Sequence, residues 1–231
     1  MLILAIDTAL DACAAAVLDT SVGALVAQAS LPMKRGHAEA LMPLIARTMQ
    51  SARLSFMALD RIAVTTGPGS FTGLRVGISA ARGLALATGK PVVGLTTLSA
   101  YAAPVVSRNK SAPIISAIDA RHDHVYFQII ADGSPLVSPE VASIDEAIAA
   151  SRFGAPYLVG NAAKILADRW PKDAPAPLAI DPQAAPDIAW VARLGAAADP
   201  DTAPARPFYL RAPDAKPAAM PPLVAQAVAL R

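Results

Sequence analysis

Residues 62–77 read Ile-Ala-Val-Thr-Thr-Gly-Pro-Gly-Ser-Phe-Thr-Gly-Leu-Arg-Val-Gly, and how this stretch is read decides the fold. Three apolar residues and two threonines have the composition of a buried strand. Gly67, Pro68, Gly69 and Ser70 then turn the chain, and a helical pattern follows over 72–88. A glycine loop between a strand and a helix is a common phosphate seat in α/β proteins, because the helix start offers free N–H groups and a positive dipole end. The same loop can equally be a packing device.

The spacing separates these readings. No Gly-Lys-Ser/Thr follows, so this is not a Walker A loop, and Gly73 comes one residue too late for Gly-x-Gly-x-x-Gly. Ser70 is placed to cap the helix. Beyond it, Gly73, Gly77 and Ala81 fall four apart on one face. Glycine inside a helix costs about 1 kcal/mol relative to alanine, so two of them imply a close contact with another helix, in the same lobe or on another chain. Arg75 and Arg82, seven apart, share a face and would flank such a contact. On this reading Gly77→Leu removes partner binding without unfolding the chain.

Outward from this stretch, strands are expected over 2–6, 13–18 and 25–31, a helix over 37–53, and then the strand and helix just described. Gly89 and Pro91 close that helix. A strand over 92–95 and a helix over 97–106 complete a first unit. A second unit opens by repeating the first: Leu4-Ala5-Ile6-Asp7-Thr8 aligns with Ser116-Ala117-Ile118-Asp119-Ala120, and Asp11 matches Asp123 at the same offset. Each copy runs into a second β-type stretch, 13–18 and 125–130. The expected division is a first lobe over 1–100 and a smaller second lobe over 101–231. In the latter, 157–160 reads as a strand, 162–168 and 188–197 read as helices, and the proline-rich stretches 171–186 and 200–222 read as loops. Residues 220–231 are expected to dock back on the first lobe.

Composition narrows the function. The chain has 231 residues, 54% hydrophobic and 16% charged, enough to bury a large core. A net charge of +2 and 5% aromatic content argue against a stand-alone nucleic-acid binder, which needs basic surface and stacking platforms. Cys13, the single cysteine, excludes an internal disulfide and a multi-cysteine zinc site and reads as an inert buried thiol. No signal-peptide pattern opens the sequence and no stretch is long enough to span a membrane, so a cytoplasmic location is expected.

Asp7 and Asp119 stand at the ends of paired strands. Facing a cleft between lobes, they could hold a metal-bound nucleotide or orient an attacking group. The first turn, Thr8-Ala9-Leu10-Asp11, lacks the glycines that close approach to phosphate requires, which favours Asp7 as a cap for backbone N–H groups. A vestigial nucleotide cleft would comprise Asp7, Thr8, Gly69, Ser70 and Asp119. His122 and His124 lack a third ligand nearby and read as a polar hairpin tip; no metal site is expected. His37 begins His-Ala-Glu-Ala-Leu without the second histidine of a zincin, and no Gly-x-Ser-x-Gly elbow is present.

These residues resemble a known family. Ile-Leu-Ala-Ile-Asp-Thr at 3–8, His-x-Glu-x-Leu-x-Pro at 37–43, the 67–77 motif, Ile-Asp-Ala-Arg at 118–121 with Val125-Tyr126, and Pro-Phe-Tyr-Leu-Arg at 207–211 resemble, in order, the TsaB (YeaZ) family. The resemblance implies a duplicated two-lobed α/β fold of the actin/hexokinase/Hsp70 (ASKHA, RNase H-like) class. It also implies a role in making threonylcarbamoyl-adenosine at position 37 of tRNAs. In that system TsaB is a non-catalytic subunit that binds the metal-bearing paralogue TsaD, with the ATPase TsaE assisting, and forms a homodimer through the same helical face; tRNA is contacted at most indirectly. Carried to this chain, the interface comprises His37, Leu41 and Ile45 on one helix and Gly73, Leu74, Arg75, Gly77, Ala81 and Arg82 on the other. No cofactor is implied beyond a weakly held or interface-shared nucleotide. The alternative is an enzyme in its own right, an ATP-dependent ASKHA kinase or an M22-type peptidase; the missing turn glycines, Walker loop and metal ligands weigh against it.

Overall fold

The first strand, β1 (Leu2–Asp7), is covered on both faces. Leu4 and Ile6 enter one hydrophobic cluster and Ile3 and Ala5 another, as a two-residue period dictates for a central strand. The structure, a computed structural model, describes residues 1–108 and 111–211. In it β1 pairs antiparallel with β2 (Ala12–Asp19), which pairs with β3 (Ala24–Pro32). On the other side β4 (Arg61–Gly67) and β5 (Val92–Thr96) add in parallel, giving the order β3-β2-β1-β4-β5. Helices α1 (His37–Ala52) and α2 (Phe71–Thr88) bury Leu41, Leu44, Ile45, Leu74 and Ile78 against one face of this sheet.

The second sheet repeats the first. Its strands β6 (Ile114–Arg121), β7 (His124–Ala131), β8 (Ser134–Ser143), β9 (Tyr157–Val159) and β10 (Ala179–Asp181) take the order β10-β9-β6-β7-β8. Each strand thus occupies the place of its counterpart in the first sheet. The repeat extends to single hydrogen bonds. Asp7 accepts from the Ala9 N–H at 3.1 Å and Asp119 from the Arg121 N–H at 2.7 Å. The Asp11 carbonyl accepts from Met33 at 3.0 Å, and the Asp123 carbonyl from Ile144 at 2.9 Å. This is a duplicated two-lobed α/β fold. Between the sheets lies α3 (Thr97–Val106), whose Leu98, Tyr101 and Ala102 share one cluster with Ile114, Ile118 and Val159. Helices α4 (Ile144–Ile148) and α5 (Ala163–Asp168) cover the far face of the second sheet.

The lobe boundary differs from the expected one. The chain leaves the second lobe after β10, and α6 (Ile188–Ala197) lays Ile188, Val191 and Ala192 on Ile3, Ala5 and Ala63 of the first sheet. The Arg61 guanidinium fixes this return, donating through Nη1 to the carbonyls of Gly195, Ala196 and Ala198 at 2.9, 3.1 and 2.6 Å. A cation at a helix C-terminus satisfies carbonyls that have no intrahelical donor. The second lobe is therefore an insertion, and the return begins near 188; residues 220–231, expected to make it, lie outside those described. The strands β8 and β10 and the helix α4 were not anticipated. Proline-containing β8 is an edge strand, where a missing N–H is tolerated. The start of α4 is fixed by a capping box between Ser143 and Glu146. Among the described residues no helix is long and apolar enough to cross a membrane.

Candidate functional site

The β1–β2 turn and the glycine motif are built against each other. The Ser70 N–H donates to the Ala9 carbonyl at 2.7 Å, and the Thr8 hydroxyl donates to the Gly73 carbonyl at 2.7 Å. Ser70 caps α2, accepting from the Gly73 N–H at 3.3 Å. A β carbon at Gly69, Gly73 or Gly77 would come within 3.0 Å of Ala9 O, Thr8 O or Thr8 Oγ1 respectively. The motif glycines thus let a hairpin turn, not another helix, close on the start of α2. A phosphate at that helix start would need the same space, and the carbonyl oxygens of residues 8 and 9 already fill it, with the Ser70 N–H bonded to Ala9 and the Gly73 N–H to the Ser70 side chain.

This changes the expected interface. His37, Leu41, Ile45, Gly73, Leu74, Gly77 and Ala81 are all buried within the first lobe, whereas Arg75 and Arg82 are exposed. His37 hydrogen-bonds through Nε2 to the Leu10 carbonyl at 3.0 Å. The small residues Gly73 and Gly77 do mark a close contact, but it is with the β1–β2 turn of the same lobe and not with another helix. The expectation that Gly77→Leu spares the fold is likewise overturned, since its side chain would strike Thr8 and Val64. The solvent face of α2 is instead Phe71, Arg75, Ser79, Arg82, Gly83 and Leu86. That of α1 includes Met42, Ala46, Arg47 and Gln50.

A segment that sequence reasoning gave no role completes this region. After α6 the chain runs along the first sheet: Gly94 N–H donates to Ala203 O at 2.9 Å, and Phe208 N–H to Thr66 O at 2.8 Å. Gly67, at φ 119°, leaves room for the Phe208 carbonyl. Tyr209 then reaches α2. Its ring lies 5.4 Å from that of Phe71, and its hydroxyl accepts from Arg75 Nε at 3.2 Å. Under this strap is a cavity of about 150 Å³, lined by Pro68, Phe71 and Leu74 from the first lobe and Ala120 and Tyr126 from the second. That is smaller than the roughly 300 Å³ at which ligand pockets begin. The sequence signals were Gly67, whose φ of 119° and close neighbours Phe208 O and Leu74 Cδ1 leave no room for a side chain, and the motif at 207–211.

Asp7 and Asp119 are topological equivalents in different surroundings. Asp7 is fully buried; its Oδ1 accepts from Thr65 and Ala9, while Oδ2 has no hydrogen-bond partner among the described residues. Burial raises its pKa, and the hydrogen bonds from Thr65 and Ala9 and the charge of His37 offset only part of that rise. Asp119 is exposed, held by the Arg121 N–H and itself donating through its backbone N–H to Asn161. The pair therefore does not line one cleft as two available carboxylates. His124 Nδ1 lies 2.6 Å from the His122 carbonyl at the β6–β7 turn. Among the described residues no three His, Cys, Asp or Glu side chains converge as a metal site would require.

A family profile described as "TsaD: tRNA N6-adenosine threonylcarbamoyltransferase" matches residues 27–165. The Escherichia coli K12 "tRNA threonylcarbamoyladenosine biosynthesis protein TsaB" is 37% identical over 127 residues, 55% of this chain and 54% of that protein. The chain belongs to the TsaB (YeaZ) family. An uncharacterized protein of Mycobacterium tuberculosis is 33% identical over 221 residues, 94% of this chain and 95% of that one. The solved structure of YeaZ from Pseudomonas aeruginosa shares 26% identity at a TM-score of 0.69, covering 90% of this chain and 99% of that chain. The match to the relatives named TsaB spans about half of their length, so likeness to the YeaZ structure, not the sequence match, extends membership of the family across both lobes.

Proposed function

We propose that this chain is a non-catalytic subunit of the machinery that makes threonylcarbamoyladenosine in tRNA, where it binds and supports a TsaD-type subunit in the cytoplasm. The observation that carries the reading is the seat of the β1–β2 turn: the Thr8 and Ala9 carbonyl oxygens fill the space beside Gly73 and Gly69 at the start of α2, and the Ser70 N–H is bonded to Ala9. A chain of this family that has filled its own phosphate seat is suited to holding a partner. On this reading the chain has no cofactor of its own, a TsaE-type ATPase joins the assembly, tRNA is contacted at most indirectly, and self-association is the state of the isolated subunit.

The test uses the purified chain alone and with its TsaD-type and TsaE-type subunits, threonylcarbamoyl-AMP and tRNA. The expected result is no ATP or peptide hydrolysis by the chain alone, and tRNA modification only when it is added to the other two. Steady ATP turnover by the chain alone would replace this reading with that of an independent kinase-like enzyme, and peptide cleavage with that of a peptidase.

A further inference from the structure

Three of the four sheet edges among the described residues are closed by recognisable means. β5 carries the returning chain, with the Gly94 N–H on Ala203 O at 2.9 Å and Val93 bridged to Pro204. β8 holds Pro135 and Pro139, and β10 is only three residues long. Cover, proline and short length are the usual defences of an edge against unwanted pairing. The fourth edge, β3, is long and bare. It runs nine residues, Ala24–Pro32, with no charged side chain and with proline only at its last position, and Val26 and Leu31 are exposed on it. Among the described residues only β2 pairs with it. The Met33 N–H donates to Asp11 O at 3.0 Å. By the alternation of an antiparallel ladder, the N–H and C=O groups of Gln28 and Ser30 then point away from β2. Beside them a groove of about 600 Å³ runs between Gln28, Ala29 and Ser30 on one side and the returning segment 183–188 on the other.

We propose that the stretch 223–230 adds to β3 as an antiparallel edge strand, so that the first sheet is completed by its own chain. Its sequence is Leu-Val-Ala-Gln-Ala-Val-Ala-Leu, and its first five residues repeat residues 25–29 of β3 identically. Residues 212–231 lie outside those described, but the same pentapeptide is a strand in β3, packed beside the alanine-rich β2. The stretch has no charge and no proline, and its eight residues match the nine of the edge. The route is short. β3 runs parallel to β1, since both are antiparallel to β2. Pro32 therefore ends β3 on the side of the sheet where Phe208 meets the end of β4. Three strand spacings, about 15 Å, separate β4 from β3, and the eleven residues 212–222 reach about 36 Å when extended. A strand entering from that side runs antiparallel to β3. It brings Arg231 to the end of β3 where Asp19 pairs with Ala24, placing opposite charges side by side. The small side chains on one face of the added strand then fill the groove along Gln28 and Ser30. A tethered strand also meets the edge at an effective concentration in the millimolar range, an advantage that a separate chain lacks. The inference goes beyond the partner reading and does not depend on it.

The experiment measures amide hydrogen exchange of the full chain by NMR, in the wild type and in two variants. The double variant Gln226→Pro/Ala227→Pro removes two adjacent N–H donors, one of which faces β3 in either register of the added strand. Ala218→Pro, in the intervening stretch, is the control. The expected result is that the Gln28 and Ser30 amides exchange about tenfold or more slowly in the wild type than in the double variant, and that the control keeps the wild-type rates. The Ala27 and Ala29 amides, which bond to β2, should be unchanged throughout. Protection in the wild type should not vary with protein concentration, because strand and edge belong to one chain. Unprotected Gln28 and Ser30 amides in the wild type would overturn the proposal, and so would equal protection in the double variant. Protection that grows with protein concentration would assign the edge to a second copy and overturn the in-chain strand.

Discussion

Gly73 and Thr8 are locked face to face: the Thr8 hydroxyl donates to the Gly73 carbonyl at 2.7 Å, and the Thr8 carbonyl fills the place a β carbon on residue 73 would take. Glycine inside a helix is ordinarily a cost of about 1 kcal/mol against alanine. Here the sign reverses. Gly73→Ala is expected to destabilise the chain by about 1–3 kcal/mol, the range of an overpacked core. Gly83, ten residues along the same helix, has nothing within 4 Å of its β position. Gly83→Ala should therefore stabilise by about 0.5–1 kcal/mol. Urea unfolding of the two variants measures both signs; equal effects would contradict the packing role of the motif.

The burial of Asp7 gives a pH dependence. Its folded pKa lies above the ordinary 3.8 because burial penalises the charge. The folded chain therefore holds this proton more tightly than the unfolded chain. Its stabilising contribution is complete below the unfolded value and is lost as pH rises through the folded value. Asp7→Asn keeps an oxygen for Thr65 and Ala9 and removes the ionisation. The variant should match the wild type at pH 3 and exceed its melting temperature at pH 7, with the gap opening across the interval between.

Arg61 ties the returning helix to the first sheet. Three carbonyls at the end of α6 share its Nη1. Arg61→Met keeps much of the apolar stem and deletes the donors, and should cost about 1.5–3 kcal/mol, the range for hydrogen bonds from a charged group. Hydrogen exchange in α6 should rise more than in α1, because α1 does not depend on this tie.

Cys13 is fully buried in β2, and burial pushes its thiol up to about 11, with Asp7 adding to the rise. The thiolate is the reactive form. Iodoacetamide at pH 8 should leave the native chain unmodified over the time in which the urea-unfolded chain reacts completely, as intact-mass measurement would show.

The local structure of this protein was largely written in its sequence. The repeated Ala-Ile-Asp at 5–7 and 117–119, the Ser70 cap and the helical spacing over 72–88 are short-range patterns. Their physical basis is side-chain periodicity and backbone capping within a few residues. They carried the duplicated fold and the family. The partners of those patterns were not legible. Glycines spaced four apart announce that something approaches closely, but not whether it is a helix, a turn or another chain. Only the tertiary structure puts Thr8 and Ala9 there, 65 residues from Gly73 in the Thr8 hydrogen bond. The same holds for the return of α6 to the first lobe and for Tyr209 on Phe71 and Arg75. These are contacts of long sequence separation, set by which buried surfaces fit together, and no local window contains both halves of them.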